Sequence, residues 1–156
     1  MSSKIIELLK EIREVIANDE GLRAIYQERY KKQPKIYIGY KTPNIKELPT
    51  ICIESPVTKF DSANTTKPSL AGKIVQKDTL CIITIAIIES ETEDNIFNGL
   101  IYSSLLIEKI RILLDSQPIK RLNFINFIDA DDLEVKHPTY EKSLSFKIRY
   151  IDRENI

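Results

Sequence analysis

Thr79-Leu80-Cys81-Ile82-Ile83-Thr84-Ile85-Ala86-Ile87-Ile88-Glu89-Ser90 is the stretch whose reading decides the fold. β-branched residues dominate it, and branching at Cβ favours extended backbone over helix. Side chains alternate between faces along a strand. One face carries Leu80, Ile82, Thr84, Ala86 and Ile88; the other carries Cys81, Ile83, Ile85 and Ile87. Both faces are apolar, so the strand is expected at the centre of a sheet and covered on both sides. A helix layer would cover one side. The other side needs a second layer of the same chain or a neighbouring subunit.

The partner strand is read from the clearest alternation in the chain. Tyr140, Leu144, Phe146, Ile148 and Tyr150 point one way, and Glu141, Ser143, Ser145, Lys147 and Arg149 point the other. One buried and one wet face describe a strand antiparallel to a neighbour, and residues 79–90 are the best candidate. Between these two strands the chain carries a helix from residue 95 to about 114, opened by the acidic run Glu91-Thr92-Glu93-Asp94. Ile96, Leu100, Ile107 and Ile110 form its apolar stripe, with Phe97, Ile101 and Leu114 beside it. Gly99, Ser103 and Ser104 make a small-residue patch that would allow a close approach to the sheet, while Glu108, Lys109 and Arg111 mark the outer side. Residues 122–129 read as a strand, Ala130-Asp131-Asp132 as a turn, and residues 133–136 as a further short strand ended by His137-Pro138.

Upstream, residues 3–17 read as an amphipathic helix with Ile5, Leu8, Leu9, Ile12, Val15 and Ile16 on one face. Asn18-Asp19-Glu20-Gly21 breaks it. A short helix follows at 22–29, with Leu22, Ile25 and Tyr26 inward and a basic end. Residues 35–40 and 50–54 read as two strands, paired as a hairpin with a long connection. The whole is an α+β domain over residues 1–156: a mainly antiparallel sheet with an N-terminal helix and a long central helix packed on it.

Residues 55–77 break this regularity. They are poor in apolar residues and rich in Ser, Thr and Lys, and such long polar segments are usually functional or disordered. Two readings stand: a mobile surface loop, or an arm that orders on contact with a partner.

Composition narrows the functional classes. With 23 Lys plus Arg against 23 Asp plus Glu there is no net charge, which argues against strong nonspecific nucleic-acid binding and is compatible with assembly. Cys52 and Cys81 lie in apolar runs and read as buried thiols of a reducing compartment. No apolar segment is long enough to serve as a signal or membrane span, so a soluble cytoplasmic product is expected.

Catalytic patterns are absent: there is no Gly-x-Ser-x-Gly, phosphate-cradling loop or dinucleotide turn. His137 is the only histidine, so a triad or a histidine metal site lacks members, and it reads as a turn residue before Pro138. Asp129, Asp131, Asp132 and Glu134 lack the glycine and spacing of a calcium loop and read as a solvated turn. Glu89, Glu91, Glu93 and Asp94 cluster where a helix N-terminus attracts acid. Lys59, Lys67, Lys73 and Lys77 line the polar loop without the aromatic interleaving of a single-strand binder. No enzyme, cofactor or metal is expected.

The order of elements carries a resemblance. The amphipathic helix leads into Pro34-Lys35-Ile36-Tyr37-Ile38 and Pro49-Thr50-Ile51-Cys52-Ile53. The polar loop and the long apolar strand follow. Then comes a helix containing residues 105–114, and the chain closes on residues 137–150. This layout resembles the tail-terminator, or tail-completion, proteins of long-tailed bacteriophages and related prophage tails. The likeness is one of element order over most of the chain, with no diagnostic motif. It implies an α+β subunit that forms a hexameric ring on the tail tube. The ring would end tube polymerisation and present the head–tail joining surface. The implied partners are copies of itself, the tail tube protein and a head-completion protein, with no specific nucleic acid and no membrane. The implied location is the host bacterial cytoplasm during assembly and then the virion tail. Residues 55–77 match the family's long hairpin loop in position, which makes Lys59, Phe60, Lys67 and Lys73 the candidate assembly contacts. Two other readings remain: a head–tail connector or neck subunit, and a small-ligand-binding α+β domain.

Overall fold

The computed structural model describes residues 3–55, 65–69, 72–89, 98–116, 124–136 and 138–154. They form an α+β fold of three helices on a six-stranded sheet. The helices are α1 (Ser3–Asn18), α2 (Glu20–Tyr30) and α3 (Asn98–Ser116). The strands are β1 (Lys35–Ile38), β2 (Thr50–Glu54), β3 (Thr65–Ser69), β4 (Gly72–Ile88), β5 (Phe124–Lys136) and β6 (Thr139–Glu154). The order across the sheet is β1-β2-β4-β6-β5, and β3 pairs with the early part of β4.

β4 is the central strand, as its composition requires. It runs antiparallel to β6 in unbroken register, from Lys73 opposite Glu154 to Ile88 opposite Thr139. Cys81, Ile83, Ile85 and Ile87 face the helices and are fully buried, together with Tyr140, Leu144, Phe146 and Ile148 from β6 and Ile51 and Ile53 from β2. Each fully buried aliphatic side chain contributes about 1.5–3 kcal/mol of transfer free energy. α1 supplies Ile5, Leu8, Leu9, Ile12 and Ile16 to the same core, and α3 supplies Leu106, Ile107, Ile110, Leu113 and Leu114.

The opposite face of the sheet is covered differently. The connection between β1 and β2 lies against it and carries a 3-10 turn at Ile45–Glu47. The Tyr40 hydroxyl donates to Glu141 at 3.1 Å, and the Cys52 thiol reaches the Lys41 carbonyl at 3.9 Å. Thr50, Cys52, Thr84, Ala86, Glu141 and Ser143 are buried on this face, whereas Leu80, Ile82 and Ile88 are only half-buried. Cys52 and Cys81 therefore sit on opposite faces of the sheet, both free and both buried. Burial is the largest cause pushing both thiols up from their ordinary value.

Four expectations change. β1 and β2 are parallel, not a hairpin: Ile36 lies opposite Ile51 and Ile38 opposite Ile53. The connection crosses back over the sheet, so both strands present their isoleucines to α1. β4 starts at Gly72, well before residue 79, and within the expected loop at 55–77 the described residues after Ser55 are strand, with Thr65 opposite Gln76 and Ser69 opposite Gly72. Residues 124–136 are one strand, so the acidic run from Asp129 to Glu134 lies within β5 and is not a turn. Two register shifts, between Phe127 and Asp129 and between Asp132 and Glu134, absorb the irregular pattern. α2 begins directly after Asp19, whose carboxylate accepts from the Leu22 N–H at 2.9 Å and caps it. His137, Ile96 and Phe97 lie outside the described residues.

Two of the three small residues on α3, Gly99 and Ser103, allow the close approach, while Ser104 is exposed and accepts from Lys142. Gly99 and Ser103 are buried, and a Cβ at Gly99 would run into the ring of Tyr140, which is itself 2% exposed. Helix propensity alone favours alanine over glycine by up to about 1 kcal/mol. The Gly99→Ala variant should instead lose about 1–3 kcal/mol, as overpacked sites do, measured as a lower urea midpoint at unchanged slope. An unchanged or raised midpoint would mean that α3 does not sit this close to β6.

Candidate functional site

One buried polar site joins three elements. The last turn of α2 places Arg29, the end of β4 places Glu89, and α3 places Tyr102. The Arg29 Nε donates to both Glu89 carboxylate oxygens, at 2.9 and 3.1 Å, and its Nη2 lies 2.7 Å from Oε1. The guanidinium stacks over the Tyr102 ring at 4.0 Å. The Glu89 N–H donates to the Pro138 carbonyl at 3.0 Å. The Glu89 side chain is 4% exposed and that of Arg29 is 34% exposed. The hydrogen bond to Glu89 raises the Arg29 pKa, and burial, followed by the Glu89 charge, raises that of the Tyr30 hydroxyl. Both charges are satisfied by each other, so the arrangement works as a clamp that fixes α2, β4 and α3 together. In the sequence alone Glu89 reads with the acids that follow it and Arg29 as helix-end charge, so the pair is visible only in the fold. The one signal was a carboxylate directly ending an apolar strand.

The described surface offers two apolar patches, on opposite sides of the sheet. On α3, Ile101 is 57%, Leu105 46% and Ile112 52% exposed. Steps of four, three and four place Ile101, Leu105, Glu108 and Ile112 on one stripe. Glu108 accepts from the Arg111 Nε at 3.0 Å and forms an ion pair with its Nη2. Ile101, expected beside the inward stripe, therefore faces outward. On the other side, the β1–β2 connection exposes Tyr40 at 49% and Ile45 at 59%. Lys41 and Glu47 form an ion pair there at 2.7 Å, and Lys46 is exposed.

The expected assembly loop is partly placed. Lys67 lies in β3 opposite Ile74, and Lys73 lies in β4 opposite Pro68. Lys59 and Phe60 fall outside the described residues. The β3–β4 pairing extends the sheet beyond the end of β2.

A cleft of about 80 Å³ between α1, α2 and β1 is lined by Ile16, Leu22, Tyr26 and Ile36 among others. The Tyr26 hydroxyl is fully buried and unpaired among the described residues. That volume holds a few waters and falls well short of the roughly 300 Å³ at which small-molecule sites begin. Among the described residues no helix is long and apolar enough to cross a membrane.

The clamp makes a stability prediction. Arg29→Met strands the Glu89 carboxylate. Breaking a fully buried pair costs about 3–5 kcal/mol; with Arg29 a third exposed, about 1–3 kcal/mol is expected by chemical denaturation. The double variant Arg29→Met/Glu89→Leu should recover most of it, which a merely additive pair would not do.

No family model matches the chain, and no curated protein matches it. Among solved structures, its fold is similar to that of a chain in a structure described as the virion of a native gene transfer agent (GTA) particle. The TM-score is 0.50 and the identity 12%, over 90% of this chain and 92% of that one. At that identity the likeness is one of fold.

Proposed function

We propose that this chain is a structural subunit of a phage-like virion, of the tail-terminator type. It would cap the tail tube as a ring, end tube polymerisation and form the surface to which the head joins, without bond-making chemistry of its own. The observation that carries this reading is the fold likeness to a chain of a virion particle over nine-tenths of both chains. The order of elements agrees with it: a helix-backed antiparallel sheet extended by a hairpin where the tail-terminator family has its long loop. The mechanism would be geometric. A ring closes when each subunit offers two different complementary surfaces related by the ring's rotation. One end of the ring matches the tube, and the other, unlike a tube subunit, offers no place for the next.

A connector or neck subunit is the second reading, since a virion neighbour fits it equally well. The two differ in partner. Light scattering after size exclusion and negative-stain microscopy, alone and with tail tube protein, should show rings that bind tube ends and arrest growth. Rings that bind only portal-side proteins would favour the connector. A monomer that neither assembles nor touches tubes would sink both. Deleting residues 60–72 removes β3, which among the described strands pairs with β4. The variant should stay folded, with a melting temperature within a few degrees of the parent, and lose tube capping. Normal capping by that variant would remove the hairpin from the mechanism.

A further inference from the structure

We infer that the exposed stripe of α3 and the β1–β2 connection are the two halves of one head-to-tail interface between copies of this chain. The inference rests on the ring reading and names the surfaces that would close the ring.

The two patches lie on opposite faces of the same sheet, so they cannot meet within one molecule. Each is a small group of large apolar side chains about half exposed: Ile101, Leu105 and Ile112 on one side, Tyr40 and Ile45 on the other. Each is held rigidly, which lowers the cost of binding. α3 is seated on Tyr140 through Gly99. The connection is pinned by Tyr40 on Glu141 and by the Asn44 side chain, which accepts from the Lys46 N–H at 3.1 Å.

Charge selects unlike over like pairing. Within each patch an internal ion pair cancels, Glu108 with Arg111 and Lys41 with Glu47. On the flanks of α3, Lys142 donates to Ser104 at 2.9 Å and Lys109 lies beside Gly21. Asp115, whose charge also reaches Arg111, leaves the α3 stripe with one net negative charge, and Lys46 beside Ile45 leaves the connection with one net positive charge, both residues being exposed. A patch meeting its own copy would bring together two surfaces of the same net sign. Meeting the other patch would pair Lys46 with Asp115 around a shared apolar centre, which is complementarity of the kind that fixes register.

The test uses variants of the full chain, each with one added surface cysteine, at high concentration, the native Cys52 and Cys81 being buried. Ile45→Cys mixed with Leu105→Cys should form a disulfide-linked dimer under mild oxidation, at least about tenfold faster than either variant alone. In a second arm, Lys46→Asp and Asp115→Lys should each raise the concentration needed for association by about three- to tenfold, and the double exchange should restore it. Equal cross-linking by one variant alone would make the contact self-complementary and overturn the inference. So would no cross-linking in any mixture, or a double exchange that adds the two losses. Rings seen by microscopy without this cross-link would leave the ring reading standing and remove this interface; the absence of both would remove both.

Discussion

The antiparallel ladder between β4 and β6 is the constraint on which the rest of the molecule hangs. Its register is unbroken from Lys73–Glu154 to Ile88–Thr139. A slip of one residue would turn Ile83, Ile85 and Ile87 away from the helices and bring Ile82, Thr84 and Ala86 in their place. β6 resists this more strongly than β4, because its alternation is polar on one side: a slip there would push Glu141, Ser143 and Lys147 into the helix layer. The doubly apolar strand is thus held in phase by its singly apolar partner. Every other pairing, β2 and β3 on one edge of β4 and β5 beyond β6, is placed by that phase.

The two faces of the sheet solve the burial of β4 unequally. On the helix side the solution is complete, with a row of fully buried isoleucines under α1 and α3. On the other side the cover among the described residues is the short β1–β2 connection, and it needs polar partners. Glu141, 4% exposed, is accommodated there by the Tyr40 hydroxyl. The doubly apolar pattern therefore did not require a second subunit across the whole sheet. The chain's own connection covers the part around Thr84 and Ala86, and leaves Leu80 and Ile82 half-buried.

What was legible in the sequence follows the range of the forces involved. α1, α3, β4 and β6 are periodic over three or more turns or many strand residues, and their patterns reflect burial directly. The parallel pairing of β1 with β2 was not legible. Both strands present isoleucine at alternate positions, so either direction satisfies the pattern, and the prior for neighbouring strands favours a hairpin. β5 was broken in two by its acids, because strand composition normally excludes Asp; its irregular register on β6 is what tolerates them. The Arg29–Glu89 clamp joins residues sixty positions apart, and nothing local announces a contact that only the tertiary fold creates. Ile101 was assigned by proximity to an apolar stripe, yet α3 is apolar nearly all round, and in such a helix periodicity loses its power to tell core from surface.

That last ambiguity bears on function. A helix with excess apolar surface costs solubility unless something covers it, and scattered exposed aliphatics are ordinary. Here the excess is not scattered: Ile101, Leu105 and Ile112 are aligned along a helix whose other side is locked to the sheet. The residues that decide folding, on the inner side of α3, are separate from those that remain for a partner on its outer side. A protein whose work is to fit between other subunits needs that separation. On the proposed assembly reading, contacts on the outer side of α3 can be matched to a neighbour without disturbing the core that its inner side builds.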